Sequence, residues 1–269
     1  ENTSAPCYVG DQVTAHDLTR RVSVLSQAMS TAAAHVDKDP NTLKVFAAPE
    51  FFFRGAFGAY DANSWAKAQF GLSSMLEQLT SLPPFNNWLV ICGTIIAVHY
   101  GNASRSAFYN AAPIYFRGRK LIAFKKYISH IDFLDVVGSR RVKNPFIVCL
   151  DANATANQPC LYSPSQQWML HHFGFSDYEM VANNTFDILG ARVGLEICLD
   201  HAYGELSKHL PYNDVVDLHI IVSGGMSIET GPVMVSKSGV CLLADGFAKS
   251  QLNRNWFGRG HQERDPIAW

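Results

Sequence analysis

Two long stretches of the chain repeat apolar residues at the spacing of an amphipathic helix. Residues 14–36 and residues 62–81 place these residues three or four positions apart. A period near 3.6 residues predicts helices that each bury one face. A proline-containing break follows both stretches, at Asp39-Pro40-Asn41 and at Pro83-Pro84, and indicates where each helix ends.

Shorter, nearly unbroken apolar runs predict buried strands. Two of these runs flank Arg117-Gly118-Arg119 and predict a hairpin, and a second hairpin is predicted to begin at Phe186. No strand is predicted after Asp245. Helices that alternate with strands and hairpins indicate an α/β or α+β fold rather than an all-β fold. The predicted strands are residues 43–49, 88–98, 111–116, 120–127, 186–189, 192–198, 217–223 and 240–245.

One strand ends at a cysteine that lies in a favourable place for nucleophilic chemistry. The run 192–198 ends at Cys198, and a helix-like segment follows over residues 199–210. Free N–H groups at the start of a helix favour a thiolate and a developing oxyanion. A free cysteine is more often a small buried core residue, so this pattern alone leaves both interpretations open.

Charged residues also lie at the ends of two other strands. Glu50 follows the run 43–49 and precedes three phenylalanines, and desolvation there would raise its pKa and make it a base. The alternative is an inert ion pair with Arg54. The strand 120–127 carries paired lysines, and strand alternation lets only one of them face inward. The other interpretation of these lysines is a solvated strand edge.

Length, composition and charge narrow the class of protein. A chain of 269 residues is long enough for one large α/β domain or two small ones, and we predict a single domain over residues 1–269. Its 48% of hydrophobic residues supports a sizeable core. Its net charge of −1 gives no electrostatic case for binding nucleic acid or an anionic membrane. No apolar run is long enough to cross a bilayer. Residues 129–180 are irregular and predict an insertion or lid.

The six cysteines and the N-terminal sequence say little about the compartment. No CxxC pair or His/Cys cluster with zinc spacing is present, so no metal site is predicted. Cys149 and Cys160 flank a polar loop, and the sequence leaves open whether they form a disulfide. Four glycosylation sequons and a start at Glu1 add a weak preference for a secreted or periplasmic protein, with a cytoplasmic one still open.

Three separated motifs resemble the nitrilase superfamily of carbon–nitrogen hydrolases. They are Pro49-Glu50-Phe51-Phe52, Phe124-Lys125-Lys126-Tyr127 and Gly194-Leu195-Glu196-Ile197-Cys198-Leu199-Asp200, in the order and at the spacing of that family. The flanking segments are similar as well, so the resemblance extends in pieces over residues 43–247. These flanks are residues 110–114, 217–223 and 238–245.

The resemblance implies a four-layer αββα sandwich and a Glu-Lys-Cys triad. Glu50 would be the general base, and Cys198 would attack an amide or nitrile carbon to form a thioester acyl-enzyme. Lys126, two residues after Phe124, would be the lysine that stabilises the tetrahedral intermediate, and the Leu199 N–H would complete the oxyanion site. No metal or organic cofactor is implied, and a homodimer is expected by family analogy.

The sequence also departs from the family pattern. Many members carry a second glutamate on the loop after the lysine, and no glutamate occurs here between Lys126 and Glu179. Glu179, Asp132 or Asp135 would take that place, or the role is absent. Ala202 stands where the family often has arginine.

A second set of residues is predicted to contact the substrate. Glu196 lies two residues before Cys198, so strand alternation would place both on one face. A glutamate there would bind a cationic part of the substrate or form a salt bridge within the fold. The predicted substrate-contacting residues are Phe52, His130, Glu179, Glu196, Leu199 and His201.

These features predict an enzyme that hydrolyses carbon–nitrogen bonds in a small-molecule substrate, in the first place an amidase. A nitrilase or an acyltransferase would use the same triad. A member of a different class, a catalytically silent binding protein, is favoured only by the missing second glutamate and by Ala202. Selective alkylation of Cys198 would distinguish an activated thiol from an ordinary one.

Overall fold

The computed structural model describes residues 10–56, 58–100, 106–127, 132, 170–171, 173–211, 214–247, 250–254 and 267–268. His130, Asp135, the Cys149–Cys160 pair and most of the predicted insertion lie outside these residues. The helices are α1 (Thr14–His35), α2 (Ala62–Thr80), α3 (Leu199–Ala202) and α4 (Glu205–His209). Within the same ranges no helix has the length and apolar character needed to cross a membrane.

The strands form two six-stranded sheets. The first contains β1 (Lys44–Ala47), β2 (Trp88–Ile91), β3 (Ile95–Tyr100), β4 (Ser106–Phe116), β5 (Arg119–Phe124) and β6 (Glu179–Met180). The second contains β7 (Thr185–Ile188), β8 (Ala191–Ile197), β9 (Val216–Ser223), β10 (Val235–Asp245), β11 (Gln251–Arg254) and β12 (Ile267–Ala268).

Both sheets mix parallel and antiparallel pairs. The first has the order β1-β2-β4-β5-β6, with β3 also paired to β4, and the second has the order β12-β11-β10-β9-β8-β7. The predicted hairpin is β4–β5, whose two-residue turn places both Arg117 and Gly118 at positive φ. The parallel strands β8, β9 and β10 form the centre of the second sheet, and the loops after their carboxyl ends therefore lie at one edge.

Alternation along the strands divides the apolar residues into three cores. Val193, Leu195 and Ile197 of β8 face the first sheet and form the core between the sheets. The opposite face of the first sheet packs against α1 and α2. The outer face of the second sheet is covered near Leu206 of α4. The layers are therefore α, β, β and α, and the predicted four-layer sandwich is confirmed.

Three elements differ from the sequence-based expectation. The single strand predicted over residues 88–98 is divided into β2 and β3 at Gly93, which has φ +80°. The helix predicted over 199–210 is two short helices, because Gly204 adopts φ +63° between them. Strands β11 and β12 follow Asp245, where none was predicted. Strand β11 has four mostly polar residues and β12 has only two residues, so neither gives a clear periodic signal.

The division at Gly93 gives a stability prediction. An added Cβ would lie 2.6 Å from both the Phe52 Cβ and the Pro49 carbonyl oxygen. Gly93→Ala should therefore lower the free energy of unfolding by about 3 kcal/mol, through the clash and the positive φ together. Gly118→Ala is the matched control, because Gly118 has φ +78° with open space around it. Urea denaturation should show a loss of only about 1 kcal/mol for that control, and equal losses for the two variants would contradict the close approach at Gly93.

Candidate active site

Three strand ends bring a carboxylate, a lysine and a cysteine together. Glu50 follows β1, Lys125 follows β5 and Cys198 follows β8. The Lys125 ammonium lies 2.7 Å from Glu50 Oε1 and 2.8 and 2.9 Å from the two carboxylate oxygens of Asp132. The side chains of these three charged residues are fully buried. A buried ammonium between two carboxylates is the arrangement in which each charge compensates for the desolvation of the others.

The prediction that Lys126 joins this cluster is wrong, because Lys125 occupies the position. The Lys125 N–H donates to the Asn110 carbonyl, so the β4–β5 ladder continues one residue beyond β5. Lys125 therefore lies on the same face as Ala123, toward the second sheet. Lys126 takes the other direction, and its ammonium pairs with Glu205 at 2.7 Å, one-third exposed.

The Glu50 carboxylate is hydrogen-bonded through one oxygen and lies close to the Cys198 thiol. Its Oε1 accepts hydrogen bonds from Lys125 Nζ and from Asn110 Nδ2, the latter at 2.8 Å. Its Oε2 is buried and makes no hydrogen bond of normal geometry with the described residues. The Cys198 thiol is close enough for the two groups to shift each other's pKa. The free oxygen is therefore the one in position to take a proton.

Cys198 lies on a sharp turn between β8 and α3. Its backbone has φ +50° and ψ −110°, a region that L-residues rarely occupy. The turn is anchored where the Cys198 N–H donates to the Val222 carbonyl of β9 at 2.9 Å. Such a strained strand-to-helix turn projects a nucleophile out of the end of a sheet. The helix α3 contains only four residues, so its dipole favours a thiolate at Cys198 less than the sequence predicted.

The charges of the cluster set its protonation states. Burial raises the pKa of Glu50, against the opposing effect of Lys125. Burial disfavours the Lys125 ammonium, but Asp132 and Glu50 together keep its pKa above the ordinary value. Burial and the Glu50 charge raise the pKa of Cys198 to about 12, although Lys125 acts in the opposite direction. The resting site therefore contains a thiol and an ammonium, and the thiol needs a base to react.

Asp200 connects the cysteine turn to the lysine strand. It is fully buried, and its carboxylate accepts hydrogen bonds from the backbone N–H groups of Lys126 and Tyr127. Burial raises its pKa, and these N–H donors act in the opposite direction. The carboxylate therefore fixes the spacing between Cys198 and Lys125. Asp200 is the last residue of the third motif, but no sequence pattern indicated that it has this role.

The other predicted residues have different environments. Asp132, one of the three carboxylates considered for the second acidic position, contacts Lys125, whereas Glu179 is largely exposed and pairs with Arg119 at 2.9 Å. Phe52 packs against the core beside α1 and α2. Its neighbour Phe51 is the aromatic ring at the site, with its centroid 5.9 Å from the Lys125 ammonium.

The prediction that Glu196 shares a face with Cys198 is wrong. The positive φ at Cys198 ends the strand alternation, so Glu196 faces the outer side of the second sheet. There it contacts His201 and His219, and His201 is therefore also directed away from the cluster. Among the described residues these three form the one group whose geometry would hold a metal ion. Leu199 remains beside Cys198 as the first residue of α3.

The raised pKa of Cys198 predicts how its alkylation depends on pH. Thiolate is the reactive form, and for a pKa of about 12 its fraction rises about tenfold per pH unit below that value. The rate of iodoacetamide labelling at Cys198, followed by peptide mass spectrometry, should therefore still be rising at pH 10. A plateau below pH 9 would contradict the protonated resting thiol.

Comparison with solved structures identifies the fold. A carbon–nitrogen hydrolase from Helicobacter pylori G27 superposes with a TM-score of 0.52 at 10% identity, over 89% of this chain and 78% of that one. Saccharomyces cerevisiae Nit3, a member of branch 10 of the nitrilase superfamily, has a TM-score of 0.47 at 15% identity, over 94% and 83%. A mutant of a Nesterenkonia amidase from the same superfamily superposes with a TM-score of 0.48 at 12% sequence identity. The match covers 94% of this chain and 83% of the amidase.

Sequence comparison adds nothing to this likeness. No protein-family sequence model matches the chain, and no curated protein sequence matches it either. The structural likeness is therefore a likeness of fold. The chain has the fold of that carbon–nitrogen hydrolase, which is the kind of fold that its three motifs implied.

Proposed function

We propose that this protein is a carbon–nitrogen hydrolase, and specifically an amidase that acts through a thioester on Cys198. The observation that carries the proposal is the buried contact of Lys125 with Glu50 and Asp132 beside the cysteine. A nucleophile, a base next to it and a fixed positive charge are the groups that acyl transfer requires. The shared fold of a carbon–nitrogen hydrolase is compatible with this chemistry.

The first half-reaction forms the acyl-enzyme. Cys198 Sγ bonds to the amide carbon while Glu50 takes the thiol proton, and the carbonyl oxygen becomes an oxyanion. The Lys125 ammonium and the Leu199 N–H stabilise this oxyanion. Collapse of the intermediate breaks the carbon–nitrogen bond, the proton on Glu50 passes to the nitrogen, and ammonia leaves. A thioester remains on Cys198.

The second half-reaction reverses the roles. Glu50 takes a proton from water, whose oxygen bonds to the thioester carbon. The new oxyanion again faces Lys125. Its collapse expels the Cys198 sulfur, which regains a proton from Glu50, and the carboxylic acid product is released. The raised pKa of Glu50 suits both halves, because the group must accept and return a proton near neutral pH.

Asp132 has a positioning role in this proposal. Both of its oxygens contact the Lys125 ammonium, so they fix the lysine between the two carboxylates. Its charge also raises the pKa of Glu50 and of Lys125. Lys125 therefore stays an ammonium through the cycle and acts by its charge, while Glu50 carries the protons.

The direct experiment is a substrate panel with ammonia detection. Purified protein is incubated with small aliphatic and aromatic amides, nitriles and N-carbamoyl compounds, beside a Glu50→Gln variant that keeps the size of the side chain. We expect ammonia release from amides by the native protein and a loss of about 10³-fold or more in the variant. Ammonia release from nitriles but not from amides would overturn the amidase assignment in favour of a nitrilase. No release from any compound, or equal release by the variant, would overturn the proposal.

A further inference from the structure

A second cluster of buried ionisable groups lies behind the cysteine turn, on the outer face of the second sheet. Glu196 Oε2 is 2.7 Å from His201 Nδ1 and 2.8 Å from His219 Nε2. Glu196 Oε1 accepts a 2.7 Å hydrogen bond from the Leu206 N–H in the first turn of α4. All three side chains are completely buried. The group is called the Glu196 cluster below.

The geometry of the cluster would fit a metal ion, but its hydrogen bonds favour protons on the histidine nitrogens that face Glu196. The Met234 N–H points at His219 Nδ1, at 3.4 Å, so this nitrogen is the acceptor and Nε2 carries the proton donated to Glu196. A metal ion bound at His219 Nε2 would require the proton to be on Nδ1 instead. The Nδ1–H of His219 and the N–H of Met234 would then face each other. The hydrogen bonds from the two histidines also hold the pKa of Glu196 at about 2, against its burial.

The residues of the Glu196 cluster come from several elements that surround the cysteine turn. Glu196 belongs to β8, His219 to β9 and Leu206 to α4. His201 lies three residues after Cys198, and its N–H donates to the Cys198 carbonyl at 2.8 Å. One carboxylate therefore connects the strand before the cysteine with the helix turn after it.

We propose that the Glu196 cluster is the positioning device of the nucleophile: the His201–Glu196 hydrogen bond holds Cys198 in its strained turn beside Glu50. The proposal rests on the proposed function, in which Cys198 is the nucleophile. A backbone with φ +50° and ψ −110° persists only where its surroundings determine it from several sides. Val222 holds the turn at the Cys198 N–H, and the cluster holds it at the other end.

The test compares His201→Ala with His201→Asn, using iodoacetamide as the probe. The asparagine amide nitrogen takes about the place of Nδ1 and retains the donor to Glu196, whereas alanine removes it. In His201→Ala the turn relaxes, Cys198 leaves the buried position beside Glu50, and its apparent pKa should fall by about one unit or more toward the usual thiol value. In His201→Asn the alkylation profile of Cys198 against pH should stay that of the native protein.

The controls distinguish a loss of Cys198 positioning from a general loss of stability. Glu205→Gln removes a different buried carboxylate, which belongs to α4 and pairs with Lys126 and His209, and it should leave the Cys198 profile unchanged. Circular dichroism and thermal melting verify that each variant is folded, and Glu196→Gln replaces His201→Ala if that variant is not. An unchanged profile in His201→Ala, or an equal shift in Glu205→Gln, would overturn the proposal. One zinc per native chain by elemental analysis would do so as well.

The alkylation profile uses no substrate, so its result is independent of the amide panel. If no amide is hydrolysed while His201→Ala still shifts the Cys198 profile, the proposed function fails and the positioning role remains. If amides are hydrolysed and the profile does not shift, the positioning role fails alone.

Discussion

Replacing Lys125 with glutamine should produce the largest combined loss of stability and activity in this protein. The substitution leaves Glu50 and Asp132 buried without the ammonium that compensates them. Removing one partner of a buried ion pair costs about 3–5 kcal/mol of the free energy of unfolding. Amide turnover should fall by about 10²–10³-fold or more, because the oxyanion loses its fixed positive charge.

Lys126→Gln is the control, since it changes the same residue type one position later. Lys126 is one-third exposed, and its partner Glu205 also contacts Lys208 and His209. We expect a loss of less than about 1 kcal/mol in urea denaturation and no change in kcat. If Lys125→Gln does not fold, Lys125→Arg keeps a charge there and should still lower kcat. A larger effect at Lys126 than at Lys125 would restore the sequence-based assignment and refute the one made from the structure.

Cys198→Ala should abolish turnover and leave the protein folded. In the proposed reaction the sulfur forms the covalent bond, and loss of a nucleophile lowers kcat by about 10⁴-fold or more. The side chain is small and 7% exposed. Thermal melting should therefore show a change in stability of about 1 kcal/mol.

Cys241→Ala is the matched control for that variant. Cys241 is also buried, but it lies in the outer core of the second sheet, away from Glu50 and Lys125. Burial raises its pKa as well. Ammonia release by Cys241→Ala should equal that of the native protein. Equal losses in the two variants would indicate a general effect of removing a buried thiol.

The elements of this fold could be predicted where their hydrophobic pattern is long and regular. Both long helices and most strands lie where their periodicity placed them. Glu50 and Cys198, which the structure brings to one buried cluster, could also be singled out, because each is a reactive side chain at the end of an apolar run. The short strands after Asp245 carry no such pattern and were missed.

The choice of lysine shows what local sequence leaves undetermined. Lys125 and Lys126 alternate in direction, and the decision depends on which face of β5 meets the second sheet. Ala123 faces that sheet and Phe124 faces the helices, so Lys125 is the inward lysine. The spacing from Phe124 led to the opposite choice. The hydrogen bond from the Lys125 N–H to the Asn110 carbonyl of β4 determines which lysine faces inward, and the sequence of β5 alone does not contain that information.

The expectation that Glu196 shares a face with Cys198 failed for a different reason, and its contacts with His201 and His219 agree with the other interpretation, a salt bridge within the fold. Strand alternation is a rule for extended backbone, and Cys198 leaves that conformation with φ +50°. A positive φ at a residue other than glycine cannot be derived from periodicity. The same turn that makes the cysteine a candidate nucleophile therefore places Glu196 and Cys198 on opposite sides of the sheet.

The mass of the Cys198 peptide during turnover tests the proposed thioester most directly. The native protein is mixed with an amide that it hydrolyses, quenched in acid within milliseconds to seconds, and digested for peptide mass spectrometry. We expect the acyl group of the substrate as a thioester on the Cys198 peptide, and no such adduct in Cys198→Ala. An acyl group on another residue, or steady ammonia release by Cys198→Ala, would contradict the proposed thioester.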